Sequence, residues 1–244
     1  MFFECSSLSD LKPLKNWNVP NGNDFSSIFE RYESLECLKS LENWDVSKGA
    51  IFEKMFFNCK LLVDIKALED WNASNGNNFK EIFCYCTSLS NLQALENWNV
   101  SNGNNFENTF GFCNSLIDLK PLKNWNVSNG NNFSGMLSGC TSLSDLKPLK
   151  NWNVSNGNDF SYMFRQCKSL TDLKPLKNWN VSNSTVFGHM FDGCSKLSYI
   201  KPLDDWNTSN GDDFNYMFTN CFLLSDLTDI QKWNADQYRL KNIK

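Results

Sequence analysis

Residues 140–166 read CTSLSDLKPLKNWNVSNGNDFSYMFRQ, and this 27-residue pattern recurs in register along almost the entire chain of 244 residues. Tryptophan marks the repeat most clearly, because the interval between one tryptophan and the next never changes. The tryptophans are Trp17, Trp44, Trp71, Trp98, Trp125, Trp152, Trp179, Trp206 and Trp233. Repeats of this length cannot each bury a core, so successive copies must stack as rungs around one shared hydrophobic interior. The sequence therefore predicts a solenoid.

The apolar positions of one rung identify the side chains that we expect in its core. In the copy that begins at Cys140 they are Leu143, Leu146, Leu149, Trp152, Val154, Phe160, Met163 and Phe164. Burial of each such side chain stabilises the fold by about 1.5–3 kcal/mol before entropy is subtracted. Stacking in a core therefore explains why these letters repeat.

The residues around this core predict the local backbone structure. A short parallel strand is expected over 143–147, and Pro148 ends it because proline has no backbone donor. Asn156-Gly157 predicts a tight turn with positive φ. Asp159 is expected to cap a helical turn that buries the three apolar residues following it. Each rung is thus predicted to contain a strand, a bend, a turn and a short helix.

The repeats define one domain. They extend over 1–233 as a single solenoid of about nine rungs, roughly 40 Å long at the usual spacing of neighbouring strands. The chain begins inside a repeat, without an obvious amino-terminal cap. After Trp233 the pattern decays, and residues 234–244 are expected to form a polar tail or cap.

The stretch NWNVSNGNNFSGMLSGCTSL, residues 124–143, closely resembles the repeat of the BspA-like leucine-rich repeat surface proteins. That repeat runs approximately W-D-x-S-N-V-x-N-M-x-x-M-F-x-x-C-x-x-L. The positions that match it here are Trp125, Ser128, Asn129, Asn132, Phe133, Met136, Cys140 and Leu143. The resemblance covers essentially the whole chain, and it implies a cell-surface solenoid associated with adhesion or protein binding.

Together the repeat and the resemblance predict the fold class. We expect an α/β repeat solenoid, a leucine-rich repeat-like right-handed coil. Short parallel strands should lie on one face and short helical turns on the other.

Composition and charge limit the range of partners. The hydrophobic share of 41% is ample for a core, and a net charge of -4 gives no general attraction for nucleic acid. No apolar run approaches the length of a membrane span, and no secretory signal precedes the first repeat. We therefore expect neither nucleic acid binding nor membrane insertion. The sequence as it stands predicts a cytoplasmic location, and a signal upstream of Met1 would predict a secreted or cell-surface one.

Cysteine occurs about once per rung, at a single register. These cysteines are Cys5, Cys59, Cys86, Cys113, Cys140, Cys167, Cys194 and Cys221. Disulfides between neighbouring rungs are one interpretation, but a uniform apolar register favours a ladder of buried thiols. Cys37 and Cys84 lie outside the ladder, and neither has the spacing or the histidine partners of a zinc site. We predict no metal and no cofactor.

The stretch SDLK carries the candidate contact surface. Aspartate and lysine recur two residues apart and should form an acidic row beside a basic row. The alternatives are a solvated lattice of ion pairs and a concave protein-binding surface. The candidate contact residues are Asp118, Lys120, Asp145, Lys147, Asp172, Lys174, Tyr199 and Lys201. Tyr199 replaces the repeated acid and is the best single candidate, because exposed tyrosines often anchor interfaces.

The asparagine rows admit two readings. Six of these asparagines begin glycosylation sequons, namely Asn72, Asn99, Asn126, Asn153, Asn180 and Asn207. A glycan is therefore possible, but we favour stacked amides that hydrogen-bond along the solenoid and satisfy the turns.

Catalysis has no support in the sequence. His189 is the only histidine, so a histidine-based triad or metal cluster cannot form. We predict a non-enzymatic protein-interaction or adhesion module that binds a host protein or a copy of itself. The alternative is a structural protein that assembles end to end through uncapped repeats.

Overall fold

The computed structural model describes residues 11–17, 19–225, 227–231 and 233. Cys5, Asp10, Asp226 and the predicted tail lie outside these residues. The described chain forms a repeat solenoid, as predicted, and each rung contributes one short 3-10 helix. These helices are Lys12–Leu14, Lys39–Leu41, Lys66–Leu68, Gln93–Leu95, Lys120–Asn124, Lys147–Leu149, Lys174–Leu176, Lys201–Leu203 and Thr228–Ile230. The 3-10 face is the name used below for one exposed surface. It is formed by each of these helices together with the two residues before it and the one residue after it.

The strand predicted over 143–147 is wrong. Residues 143–146 form no strand, and the helix Lys147–Leu149 begins where the strand should end. The leucines of this segment are three residues apart, which is the period of a 3-10 helix and not of a strand. Pro148 lies in the first turn of the helix, where a backbone N–H is not needed. Within the described residues, a parallel bridge at this level joins only Cys37 and Asp64.

The pairing between rungs lies instead on the segment that was predicted to be helical. The backbone N–H groups of Phe160, Tyr162 and Phe164 donate to carbonyls of the next rung at 2.9, 3.0 and 2.9 Å. Between these bonds the chain folds back in turns, and Tyr162 has a left-handed φ of 59°. One column of isolated parallel bridges joins the rungs here, through Asp24, Ile51, Asn78, Asn105, Asn132, Asp159, Val186 and Asp213. We call this surface the ladder face.

The core is the one predicted, because each apolar position of the rung that begins at Cys140 is buried. Equivalent rings stack on one another, for example Phe133 on Phe160 at 5.3 Å between centroids. Each indole N–H from Trp44 onward donates to a leucine carbonyl 30 residues earlier, as Trp152 does to Leu122 at 3.0 Å. The tryptophan column therefore fills the core and also satisfies the carbonyls of the 3-10 helices.

Rings of neighbouring rungs stack at different distances within the solenoid. On the ladder face, the centroids of Tyr85 and Phe112 are 4.4 Å apart. Next to the 3-10 helices, the centroids of Trp44 and Trp71 are 6.5 Å apart, with their planes 2° from parallel. The interpretation of the Asp and Lys rows as a concave protein-binding surface stays a prediction.

The predicted turn at Asn156-Gly157 is confirmed, but the reason for its glycine differs. The N–H of Gly157 donates to the carbonyl of Val154 at 2.8 Å. The described glycines with a left-handed φ are Gly135, Gly139 and Gly193, so Gly157 does not need that freedom. Instead, an ideal Cβ on Gly157 would lie 2.4 Å from Cζ of Phe160. Glycine is present because the phenylalanine ring packs directly against the turn.

Replacing Gly157 with alanine should therefore lower the free energy of unfolding by about 1–3 kcal/mol through overpacking. Ser184 occupies the equivalent position one rung later, where its hydroxyl donates to the carbonyl of Gly157 at 2.8 Å. The ring spacing between Phe160 and Phe187 is widened there to 6.2 Å. Urea unfolding followed by tryptophan fluorescence measures the effect. Gly111→Ala is the matched control, because its Cβ would meet only side-chain atoms at 3.1 Å or more. Equal losses at the two glycines would contradict the explanation.

Candidate functional site

The aspartates of the candidate surface have a structural task. Oδ1 of Asp145 accepts the backbone N–H of Lys147 at 2.8 Å, which caps the start of the 3-10 helix. The same bond recurs in neighbouring rungs with lengths of 2.7–2.9 Å, and in one rung Asn91 replaces the acid. An amide oxygen serves as well as a carboxylate in this bond, so capping explains the repeated Asp or Asn. In the sequence, these Asp residues lie two positions before a helix start, and that spacing indicates this hydrogen bond. The interpretation of the aspartates as a charged row missed it.

The lysines of the same surface project into solvent. The side chains of Lys120 and Lys147 are 83% and 82% exposed, and each ammonium lies 3.4 or 3.7 Å from the aspartate of its own rung. Lys174 is also exposed, and Lys201 lies 4.0 Å from Asp229. Exposed pairs of this kind contribute about 0–1 kcal/mol each. These ion pairs are therefore weak, and the alternatives of a solvated ion-pair lattice and a partner-binding surface stay predictions.

Tyr199 occupies the capping register of its rung and is 46% exposed. It lies one rung beyond Asp172 in the same column and two residues before Lys201, as predicted. The eight candidate residues thus share the 3-10 face. Asp and Lys form ion pairs within the rungs of Lys120 and Lys147, and Tyr199 lies at the carboxyl-terminal side of the row.

An aromatic ridge on the ladder face was not predicted. Tyr162, His189 and Tyr216 stack in successive rungs with centroid distances of 4.8 and 4.9 Å. The buried carboxylate of Asp192 accepts the Nε–H of Arg165 at 3.1 Å, and the same oxygen lies 3.3 Å from Nδ1 of His189. These residues depart from the repeat, so only their stacking in the fold brings them together. Because the ring faces cover one another, the ridge presents mainly ring edges and hydroxyls.

The cysteine ladder is buried and reduced in the described residues, as favoured above. Each ladder thiol from Cys59 onward donates to a carbonyl 30 residues earlier, as Cys140 does to Phe110 at 3.3 Å. Burial raises the pKa of the Cys59 and Cys140 thiols to about 12. These thiols are therefore poor nucleophiles and poor metal ligands. Among the described residues, no group of three or more His, Cys, Asp or Glu side chains is placed to hold a metal ion.

The asparagine rows serve the scaffold, as favoured. Oδ1 of Asn153 accepts the N–H of Ser155 at 3.1 Å, and equivalent sequon asparagines repeat this bond. Nδ2 of Asn156 donates to the carbonyl of Ser128 in the preceding rung at 2.7 Å, and this bond also recurs along the solenoid. The row of sequon asparagines stabilises the turn within each rung. The row that contains Asn156 links the turns of neighbouring rungs by hydrogen bonds.

A stack of similar rungs with a uniform core, and with charged residues on the exposed 3-10 face, defines this protein as a repeat solenoid. The chain belongs to the family described as "Mycoplasma protein of unknown function, DUF285", whose model matches residues 1–91, 61–173, 88–200 and 144–242. No curated protein matches the sequence. None of the helices in the described part of the chain has the length and apolarity of a membrane span.

Several solved structures are similar to this chain. A leucine-rich repeat protein of T. pallidum is 20% identical with a TM-score of 0.44, covering 70% of this chain and 69% of its own. A leucine-rich cell surface protein from Faecalibacterium prausnitzii is 14% identical with a TM-score of 0.40, covering 99% of this chain and 77% of its own. A leucine-rich repeat protein from Eubacterium ventriosum is 16% identical with a TM-score of 0.43, covering 86% of this chain and 52% of its own.

Proposed function

We propose that this chain is a non-enzymatic protein-interaction module of the BspA-like leucine-rich repeat kind, which binds its partner through the 3-10 face. The observation that carries the proposal is that aspartate and lysine have different roles within the stretch SDLK. The aspartate oxygens accept the first N–H groups of the helices, whereas the side chains of Lys120 and Lys147 are more than four-fifths exposed. A row of cations with a fixed spacing fits a protein surface that carries acidic side chains.

The uniform interior supports this assignment. The core, the thiols and the amide rows are all accounted for by stacking, so specificity has to reside in exposed residues that vary between rungs. Tyr199 is the exposed aromatic residue of the 3-10 face, next to Lys201, and aromatic residues beside cations are frequent anchors of interfaces. A place on the cell surface and a role in adhesion form part of the same proposal, on the strength of the sequence resemblance.

The test reverses three lysine charges and compares the proteins that the purified chain captures. The probe is a detergent extract of the cells that make the protein, with cross-linking of bound proteins. Lys120→Glu, Lys147→Glu and Lys174→Glu together are expected to reduce capture of the bound proteins at least 10-fold at low salt.

The matched control makes the same change in net charge outside the 3-10 face. It combines Lys60→Glu, Lys168→Glu and Lys196→Glu, which are exposed lysines one or two residues after a ladder cysteine. Capture should survive in this control. A captured set that is unchanged by the first triple variant, or reduced equally by both, would reject the 3-10 face as the contact surface.

A further inference from the structure

A second row of charges on the 3-10 face has an unusual order. It consists of the residue three positions after the start of each helix, and this residue lies on the same side of the helix as the starting lysine because a 3-10 helix has three residues per turn. In successive rungs the row reads Lys15, Glu42, Glu69, Glu96, Lys123, Lys150, Lys177 and Asp204. All are exposed except the half-buried Asp204. Three carboxylates therefore follow one another, and three ammonium groups come next.

Within each block of this row, like charges occupy neighbouring rungs. An alternating row would have placed opposite charges side by side. Along the row as it stands, opposite charges become neighbours only at the junctions between blocks, such as Glu96 and Lys123.

The charges of this row are complementary to those of a second copy of the row that runs in the opposite direction. A twofold axis that passes between Glu96 and Lys123 would place each charge opposite an opposite charge of a second copy. The pairs would be Glu96 with Lys123, Glu69 with Lys150, Glu42 with Lys177, and Lys15 with Asp204. A twofold interface of this kind is isologous, so each pair occurs twice.

The complementarity remains when the neighbouring columns are included. The rung of Glu69 also carries Asp64, Lys66 and Asp70 on this side, so its charge is net negative. The rung of Lys150 in the second copy would face it. That rung carries Lys147, Lys150 and Asp145, so its charge is net positive. The row of helix-starting lysines therefore does not cancel the attraction in the rungs nearest the axis.

The pairs nearest the twofold axis are Glu96–Lys123 and Glu69–Lys150. All four residues are exposed, and exposed ion pairs are individually weak. Association should therefore be modest in strength and strongly dependent on salt.

We propose that the 3-10 face binds a second copy of this chain in antiparallel orientation, through the row from Lys15 to Asp204. This proposal rests on the proposed function and names its partner. The occupant is a second copy because the charges of the row match their own reversal, with acidic and basic blocks of equal length around one axis. Other acidic proteins are alternative occupants that the experiment distinguishes.

Zero-length carbodiimide cross-linking at low salt tests the orientation. The reagent joins a carboxylate directly to an ammonium group in contact with it. Glu69 and Lys150 of one chain are three rungs apart, about 14 Å or more at strand spacing, and cannot be joined within that chain. We expect a Glu69–Lys150 cross-link in the dimer fraction, at least 10-fold weaker in 500 mM salt. A strictly monomeric chain at millimolar concentration, or a dimer without this cross-link, would overturn the proposal.

A charge exchange provides the control. One variant combines Glu42→Lys, Glu69→Lys and Glu96→Lys, and the other combines Lys123→Glu, Lys150→Glu and Lys177→Glu. Each variant alone should be monomeric, and an equal mixture should restore dimers, as measured by analytical ultracentrifugation. The triple variant at Lys60, Lys168 and Lys196 should dimerise like the wild type.

The outcome also separates the two proposals. If the chain is monomeric but loses captured proteins when Lys120, Lys147 and Lys174 are reversed, the second-copy proposal fails and the proposed function stands. If dimers form with the expected cross-link and no other protein is captured, the 3-10 face is a self-association surface.

Discussion

Replacing Phe160 with alanine is expected to lower the free energy of unfolding by about 3–5 kcal/mol, the usual loss for a large aromatic side chain in a packed core. The ring is fully buried between Phe133 at 5.3 Å and Phe187 at 6.2 Å, and the indole of Trp179 lies 6.0 Å away. Its removal would leave a cavity in the middle of a continuous column, where the rungs on both sides are held by pairing and cannot collapse to fill it. Urea unfolding followed by tryptophan fluorescence measures the loss.

The control lies two residues away on the same segment. Tyr162 is 39% exposed on the ladder face, so Tyr162→Ala removes an aromatic ring of similar size without opening the core. We expect it to cost less than about 1 kcal/mol, as exposed substitutions usually do. A solenoid is coupled rung by rung, so the loss at Phe160 should also exceed that of Phe214→Ala near the end of the described stack. Equal losses at Phe160 and Tyr162 would contradict the stacked core.

The buried residues could be predicted from the sequence because the same apolar positions recur in successive repeats. Residues such as Leu146, Trp152 and Phe160 are buried because each stacks on its own equivalent, and the fixed interval between tryptophans already required this. The thiol and amide rows followed from the same reasoning. The ladder cysteines occupy one position of the repeat, and equivalent positions in stacked rungs share one environment. That regularity was sufficient to predict that the thiols are buried.

The assignment of strand and helix failed because a rung is not a conventional secondary-structure element. The leucine interval of three before Pro148 indicated a 3-10 helix, and it was overlooked in favour of a strand. On the other side, Phe160, Met163 and Phe164 have the spacing of a helix face. That same spacing also arises when every second N–H is directed to the next rung and the residues between are turned. Only the stacked structure distinguishes these two cases.

The candidate residues were predicted to share one exposed face, and Lys147 and Tyr199 do lie on one exposed face. The structural role of Asp145, whose Oδ1 accepts the N–H of Lys147, was missed because the aspartates were interpreted as a charged row. The aromatic ridge was missed because Tyr162, His189 and Tyr216 are departures from the repeat that come together only when the rungs stack.

The buried thiols are expected to make the stability of this protein fall steeply in alkali. Desolvation raises the pKa of Cys59 and Cys140 from 9.0 to about 12 in the folded chain, whereas an unfolded cysteine loses its proton near pH 8.5. Between these values the folded state binds more protons than the unfolded state, so the free energy of unfolding decreases as the pH rises. Each thiol should contribute a decrease of about 1.4 kcal/mol per pH unit between roughly pH 9.5 and 11.

The double variant Cys59→Ala and Cys140→Ala isolates this effect from the cavity that it creates. The cavity lowers stability equally at every pH, whereas the loss of two titrating groups makes the pH dependence shallower. Urea unfolding at several pH values should therefore show a slope reduced by about 2.7 kcal/mol per pH unit. The variant would then lose less stability on going to pH 11 than the wild type does, despite its lower stability at neutral pH. Parallel curves for the two proteins would mean that these thiols are not held in their neutral form by burial, and the ladder of stacked thiols would need another explanation.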